Sequence, residues 1–144
     1  MKCINLSHFY VSVICIFFVS FFFAQNLICQ EKLSSDILEI KSAFEKGNAK
    51  LLANSFQQSI NLDLLSQSGT YNSDQAENLL NDFFKKYAVE SFRIQKSGET
   101  GSLTDLFTIG ELVCGSDRFR VYFVRSKEGA KYLIHSLSIT AIKK

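Results

Sequence analysis

FRVYFVRSKEGAKYLIHSLSITAI, the sequence from Phe119 to Ile142, contains two runs rich in β-branched and aromatic residues. The short segment Ser126–Gly129 separates them. This pattern is typical of two antiparallel strands joined by a short loop, so we expect a hairpin here. The apolar helices predicted upstream have no other sheet segment of comparable length to pack on. A ligand pocket, if the fold has one, should therefore be lined by this hairpin.

The second half of the chain predicts a sheet of four strands. After Tyr87 the side-chain pattern has a period of two, which indicates strands. The predicted strands are Val89–Lys96, Leu103–Cys114, Arg118–Arg125 and Lys131–Ile142. Short glycine-containing segments separate them, so neighbouring strands should be antiparallel. Gly110, in the middle of the longest strand, fits a bulge or bend that would curl the sheet.

Apolar residues at helical spacing predict three helices before these strands. The first helix has one apolar stripe, formed by Leu33, Ile37, Ile40 and Phe44. Gly47 can end it, and Asn48 can cap a second, short helix. The third helix follows the capping residues Asn72–Asp74, and its wide stripe contains Ala76, Leu79, Leu80, Phe83, Phe84 and Tyr87. We expect this aromatic stripe to pack on a sheet rather than to bind a cofactor.

One further strand is predicted between the second and third helices. Phe56–Leu65 alternates apolar and polar side chains, which indicates a strand with one buried face and places Asp63 on the other face. The polar segment Gln67–Tyr71 is expected to be a loop. The first two helices resemble a helix-turn-helix, but Lys46 and Lys50 are the only cations near the turn. This scarcity of positive charge argues against DNA binding.

The N-terminus predicts an export signal, residues 1–24. Lys2 supplies the positive charge, and Phe9–Ala24 is an apolar run with a small residue before the expected cleavage site. An uncleaved membrane anchor is the alternative, because residues 27–29 could extend the run to roughly the 20 residues that span a bilayer. Lipid attachment at Cys29 is a third alternative, disfavoured by the large residue before it. We expect a periplasmic or secreted protein, anchored to the membrane if cleavage fails.

Composition and charge fit one globular domain, residues 33–144, preceded by a tail of residues 25–32. The chain has 144 residues, of which 47% are hydrophobic and 21% charged. Its net charge of +2 falls to +1 once the leader removes Lys2, and no basic block indicates nucleic acid as a partner.

Cysteines and histidines are too few and too scattered to predict a metal site, and we expect no cofactor. Removal of the leader would leave two cysteines, Cys29 and Cys114. These could pair in an oxidising compartment, although a small buried hydrophobic residue is the simpler interpretation of Cys114.

The predicted order of elements, α-α-β-α-β-β-β-β, defines an α+β fold that resembles the cone-shaped roll of the nuclear transport factor 2-like superfamily. More narrowly, the chain is similar to a domain-of-unknown-function family of small exported proteins typical of Bacteroidetes. The segments that carry this similarity are AFEKGNAKLLANSF, GTYNSDQAENLLNDFFKKY, FTIGELV, FRVYFV and KYLIHSLSI. The resemblance implies a curved antiparallel sheet packed on three N-terminal helices. The superfamily includes isomerases, dehydratases and hydrolases as well as binding and dimerisation domains, so it implies no single function.

A catalytic site inside such a cone would need an acid or a base withdrawn from water. His135 is the candidate base, and we expect it to share a face with its neighbours Leu133 and Leu137. Tyr122 on the adjacent strand is a candidate hydrogen-bond donor. A histidine bonded to a backbone carbonyl or lying in a dimer interface is the simpler interpretation.

Asp105 and Glu111 are the candidate acids, because both share strand parity with Phe107 unless Gly110 forms a bulge. Residues of this kind more often mark a strand end or a wet edge. Four arginines would bind an anion if they converged, and a solvated face is their usual role: Arg93, Arg118, Arg120 and Arg125.

Two hypotheses about function follow. The preferred one is a non-enzymatic exported domain whose cone binds a small apolar ligand or whose sheet faces a second copy of the chain. The predicted ligand-binding residues are Phe83, Phe84, Tyr87, Phe107, Tyr122 and His135. The alternative is a small-molecule isomerase or hydrolase that uses His135 as its base.

Overall fold

A computed structural model describes residues 34–102 and 104–143 of the chain. The predicted leader, the tail with Cys29, and Leu33 and Leu103 lie outside the described residues. The elements in chain order are α1 Ser35–Glu45, α2 Ala49–Ala53, β1 Phe56–Leu64, β2 Gln67–Asn72, α3 Ser73–Lys86, β3 Ser91–Glu99, β4 Asp105–Cys114, β5 Asp117–Glu128 and β6 Lys131–Ala141. None of these helices is of a length and apolarity that would cross a bilayer.

The six strands form one sheet in the order β2-β1-β6-β5-β4-β3. The last four strands are antiparallel neighbours, as the short loops between them predicted. The α+β fold class, with a curved, unclosed sheet and helices that precede most of it, is therefore confirmed. The parallel pairing of β1 with β6 was not predicted, because nothing local in either segment specifies it.

The prediction of a loop at Gln67–Tyr71 was wrong, since this segment is strand β2. It pairs with β1 through a two-residue turn, Leu65 and Ser66, so that Leu64 lies opposite Gln67. Its side chains are almost all exposed, on both faces of the strand. A strand exposed on both faces has no apolar alternation, and the sequence pattern therefore did not reveal it.

The irregularity expected at Gly110 lies on the neighbouring strand. The register of β4 against β5 runs without a shift from Asp105 to Cys114. The shift occurs in β3, where Ile94 pairs with Gly110 and Lys96 pairs with Ile109. Gly110 instead makes room for a ring, because a Cβ atom there would lie 2.5 Å from Phe92.

The helices pack on one face of the sheet, which we call the inner face and which contains Phe119, Val121 and Phe123 of β5. The opposite side, with Arg120 and Tyr122, is the outer face. Phenylalanine rings fill the space between the helices and the inner face. The ring centroid of Phe44 on α1 lies 4.6 Å from that of Phe92, 6.3 Å from that of Phe123 and 6.4 Å from that of Phe84.

Candidate functional site

An open pocket of about 720 Å³ lies at one end of the cone, and we call it the mouth pocket. Four parts of the chain meet there: the β1–β2 turn, the end of α3, the β4–β5 turn and the end of β6. Its lining includes Leu65, Tyr87, Phe119 and Ile142 together with the charged residues Asp117, Arg118 and Lys143. The pocket therefore has an apolar wall and an edge of mixed charge, an arrangement that suits an amphipathic small molecule.

Leu65 is the most unusual residue of this lining. Among the described residues, Leu65 is the one residue other than glycine with a positive φ, which is 56°. Its side chain is 39% exposed. A left-handed backbone at a tight turn is usually supplied by glycine, asparagine or aspartate. The Leu65 N–H donates to the carbonyl of Ile139 at 3.1 Å, which holds the turn against β6. The result is an apolar side chain displayed to solvent at the rim.

Ile142 and Tyr87 complete the apolar rim. Ile142 is 37% exposed, and its N–H donates to the carbonyl of Arg118 at 2.8 Å. Tyr87 ends α3, and its ring packs edge-on against Phe119 with centroids 4.8 Å apart. The Lys86 ammonium lies 5.2 Å from the centre of the Tyr87 ring.

A second hollow, of about 220 Å³, continues the mouth pocket along α3. It shares Leu65 and Tyr87 with the mouth pocket and adds Leu79, Phe83 and Lys86. Because the two hollows share these residues, the apolar surface is continuous from the β1–β2 turn to the end of the helix.

The predicted ligand-binding residues lie on both sides of the sheet and do not line one cavity. Phe83 and Phe84 are buried in the core, and Tyr87 reaches the mouth pocket. Phe107 and Tyr122 lie on the outer face, where their rings stack with centroids 6.5 Å apart. His135 also lies on this face, beside Asp105.

The expected face for His135 was wrong in part, because a bulge in β6 changes the strand parity. Val124 pairs with Ser136 and Arg125 with Ile134, so His135 is the extra residue. Leu137 therefore belongs to the buried inner face, while His135 does not. Sequence alternation alone could not reveal this bulge, since it adds one residue without a glycine or proline to mark it.

Two of the candidate catalytic residues meet across β5. The distance from His135 Nε2 to Asp105 Oδ2 is 3.9 Å, which is longer than a hydrogen bond. Their side chains are 31% and 26% exposed, and the pair lies over a face that no described helix covers. Glu111 instead accepts hydrogen bonds from Arg118 and from Gln95, each at 3.1 Å. These groups form no enclosed acid–base site among the described residues.

The four arginines do not converge. Arg93, Arg118 and Arg120 are exposed, whereas Arg125 is buried in the core. No cluster of metal-ligating side chains occurs within residues 34–102 and 104–143. Cys114 is a buried free thiol, and burial raises its pKa, with a smaller contribution from the charge of Asp117.

Comparison with known proteins identifies a family to which the chain is similar. The model of a domain of unknown function, DUF4783, matches residues 37–140. None of the curated proteins matches the chain. A DUF4783 protein from Bacteroides uniformis is 26% identical, with a TM-score of 0.69, over 74% of this chain and 97% of that one. A DUF4783 protein from Bacteroides ovatus is also 26% identical, with a TM-score of 0.68, over 74% of this chain and 94% of that one.

A more distant solved structure shares the fold. It is a nuclear transport factor 2-like protein of unknown function from Cytophaga hutchinsonii, 15% identical, with a TM-score of 0.52. The match covers 74% of this chain and 87% of that one.

Sequence reasoning missed Leu65 and Ile142, although it identified Tyr87. One signal was present at Leu65. It follows the buried Leu64 directly and so breaks the alternation of β1, which would have placed a polar residue at this position.

Proposed function

The chain belongs to the DUF4783 family, and we propose that it is a non-enzymatic domain that binds a small apolar ligand at the mouth of its cone. The observation that carries the proposal is the exposed leucine at position 65 in a left-handed backbone conformation. A leucine there costs about 1 kcal/mol relative to glycine, and with 39% of it exposed, burial of the side chain offsets only part of that cost. An outlier of this kind is a reason to expect a functional role for the side chain.

The size and chemistry of the mouth pocket support a small molecule. Its volume of about 720 Å³ falls within the range of roughly 300–1,000 Å³ that ligand sites occupy. Leu65, Tyr87 and Ile142 offer apolar contacts, and two cations, Arg118 and Lys143, lie at the edge with one acid, Asp117. We expect an apolar body with a neutral or weakly acidic end.

The test compares Leu65→Asn with wild type in binding a fluorescent apolar probe, anilinonaphthalene sulfonate. Asparagine tolerates the left-handed turn, so the variant should be as stable as wild type or slightly more stable. Loss of the apolar rim should weaken probe binding several-fold. The matched control is Leu38→Asn, since Leu38 is 52% exposed on α1 and does not line the pocket.

Equal probe affinity in wild type and Leu65→Asn would refute the proposal. So would a loss of affinity as large in Leu38→Asn. Amide chemical shifts would locate the probe, and changes should appear at Tyr87 and Ile142.

Self-association through the outer face is a second proposal, with another copy of the chain as the partner. The half-exposed stack of Phe107 on Tyr122 favours it, because aromatic side chains are enriched at protein interfaces. The acids of this face already have basic neighbours: Glu111 pairs with Arg118, and Asp105 lies beside His135. A two-fold interface sets a patch against itself, and this balance of charge would limit repulsion.

Sedimentation velocity over a wide concentration range tests self-association. The wild type should form a dimer, and Tyr122→Glu should remove it by placing a charge in the aromatic patch. Asn81→Glu, an exposed change on α3, is the control for an added negative charge away from the outer face. A wild type that stays monomeric at millimolar concentration would exclude the dimer.

We also propose that the chain is exported, on the strength of the N-terminal sequence described above. Mass spectrometry of the protein recovered from its native cells tests this. A mature N-terminus at Gln25 would support cleavage, a lipid-modified Cys29 would replace it with lipidation, and an intact Met1 in the cytoplasm would refute export.

A further inference from the structure

Arg125 is a charged side chain buried in the core of the described residues, with an exposed fraction of 2%. It lies on the inner face of β5, between Leu106 of β4 and Ile134 of β6. The centre of its guanidinium lies 5.8 Å from the ring of Tyr132. Its neighbours on the two adjacent strands are therefore apolar or aromatic, and strands pair on both sides of the arginine.

Two of the three guanidinium nitrogens of Arg125, Nε and Nη1, are buried and have no hydrogen-bond partner among the described residues. No ion pair within 4.0 Å joins Arg125 to a carboxylate in residues 34–102 or 104–143. Burial lowers the pKa of Arg125, and the charges of Asp36 and Tyr132 oppose that change. Arginine nevertheless stays protonated in proteins, so within the described residues a buried cation remains without a direct counter-charge.

A buried guanidinium with unpaired N–H groups destabilises the fold unless a hydrogen-bond acceptor binds it. Leaving a buried donor unpaired costs about 1–3 kcal/mol, and more for a charged group. A protein of this size is stable by only about 5–15 kcal/mol, so the cost is a large share of the total. Methionine would fill the same space without charge, and substitutions of that kind are often neutral or stabilising. The presence of an arginine at this position therefore calls for an anionic partner.

We propose that Arg125 is the anion-binding residue of a second ligand site, which takes the carboxylate of a small, otherwise apolar molecule. The site is separate from the mouth pocket. Arg125 follows Phe119 by six residues along β5, which corresponds to about 20 Å at roughly 3.3 Å per residue. The mouth pocket lies at the start of β5, and Arg125 lies near the end of that strand.

A carboxylate fits the chemistry of the site. A guanidinium donates charge-assisted hydrogen bonds to carboxylate oxygens, and these bonds are stronger inside a protein than in water. Leu106, Ile134 and the Tyr132 ring would contact the apolar part of the ligand. Solvent does not reach Nε or Nη1 in the structure, so binding requires a local opening of the core around the guanidinium.

Thermal unfolding in increasing butyrate, with butyramide as the neutral isostere, tests the proposal at constant ionic strength. Wild type should gain stability with butyrate in a saturable way and gain nothing from butyramide. Arg125→Met should be at least as stable as wild type without ligand and should lose the butyrate effect. Arg120→Met, an exposed arginine of the same strand, should respond like wild type.

Asp36 distinguishes a ligand from an internal counter-charge. If a ligand carboxylate binds Arg125, Asp36→Asn should bind butyrate several-fold more tightly, because a competing negative charge is gone. If Asp36 itself neutralises Arg125 in solution, butyrate will act on Asp36→Asn and leave wild type unchanged, which overturns the proposal. An equal butyrate effect in Arg125→Met would also overturn it. Neither outcome depends on the mouth pocket, whose residues are untouched by these variants.

Discussion

Gly110 shows how one residue controls the packing between two strands. A Cβ atom at this position would lie 2.5 Å from the Phe92 ring and 3.0 Å from the carbonyl oxygen of Arg93. Phe92 cannot swing away freely, because it is buried and packs on Phe44 with centroids 4.6 Å apart. The glycine is therefore required for a close approach of a ring rather than for a turn.

Gly110→Ala should lower the free energy of unfolding by roughly 1–3 kcal/mol, the cost of overpacking a core. Urea denaturation measures the change. Gly101→Ala is the control, because no atom lies within 4 Å of its added methyl group. Adding Phe92→Leu should restore part of the loss, since the two residues are in contact and their effects are not additive. A Gly110→Ala variant as stable as Gly101→Ala would contradict this account.

At the residue scale, the sequence identified individual candidate site residues but not the side chains that lie next to them in the fold. Asp105 and His135 were both selected, yet their approach across β5 depends on a bulge that carries no signature. Arg125 was grouped with three exposed arginines by its charge, although it shares strand parity with the buried Val121 and Phe123. Strand parity predicts burial but does not reveal the partners of a buried group.

The junction of β2 and α3 is the clearest example of an element fixed by local chemistry. β2 ends at Asn72 and α3 begins at the next residue, so no loop separates them. The Asn72 side chain accepts from the Gln75 N–H at 2.8 Å, and the Gln75 side chain accepts from the Asn72 N–H at 3.2 Å. This reciprocal pair is a capping box, which satisfies two N–H groups at the start of the helix.

Asn72→Ala should lower the free energy of unfolding by about 1 kcal/mol, because the helix loses its cap. Asn72→Asp should retain the stability, since aspartate also caps and carries a charge that suits a helix N-terminus. Asn78→Ala, an exposed change inside the same helix, serves as the control and should be neutral or slightly stabilising. Equal midpoints in urea for Asn72→Ala and Asn78→Ala would rule out the cap as a source of stability.

Elements with a strong internal pattern were predicted from sequence, and elements defined by distant partners were not. α3 and the strands β4 to β6 have apolar periodicity and turn residues that are local properties. β2 is polar and exposed on both faces, so it has no apolar pattern to read. The parallel pairing of β1 with β6 joins segments about 75 residues apart, for example Leu62 with Leu137. Long-range pairings of this kind are set by the packing of the whole core.

On the scale of the whole molecule, the resemblance recovered the cone but could not tell whether its interior is empty. Phe44 is fully buried and contacts rings from α3, β3 and β5, so it joins the first helix to the sheet and to the main helix. The space between the helices and the inner face, where the fold would allow a ligand, is filled by side chains. The mouth pocket, in contrast, is open space at the end of the cone.

Phe44→Ala tests this view of the interior directly. Removing the ring should cost roughly 3–5 kcal/mol and leave an apolar cavity, and Phe44→Leu should cost less and keep the fold if the alanine variant unfolds. Such cavities stay dry and bind small apolar molecules, so benzene should raise the thermal unfolding temperature of the Phe44 variants. Wild type and Phe107→Ala, whose altered side chain lies on the outer face, should gain much less, because they lack the new cavity. A benzene response in wild type that is as large as in Phe44→Ala and unchanged in Leu65→Asn would mean that the cone already has free space, and the ligand site would then belong inside it.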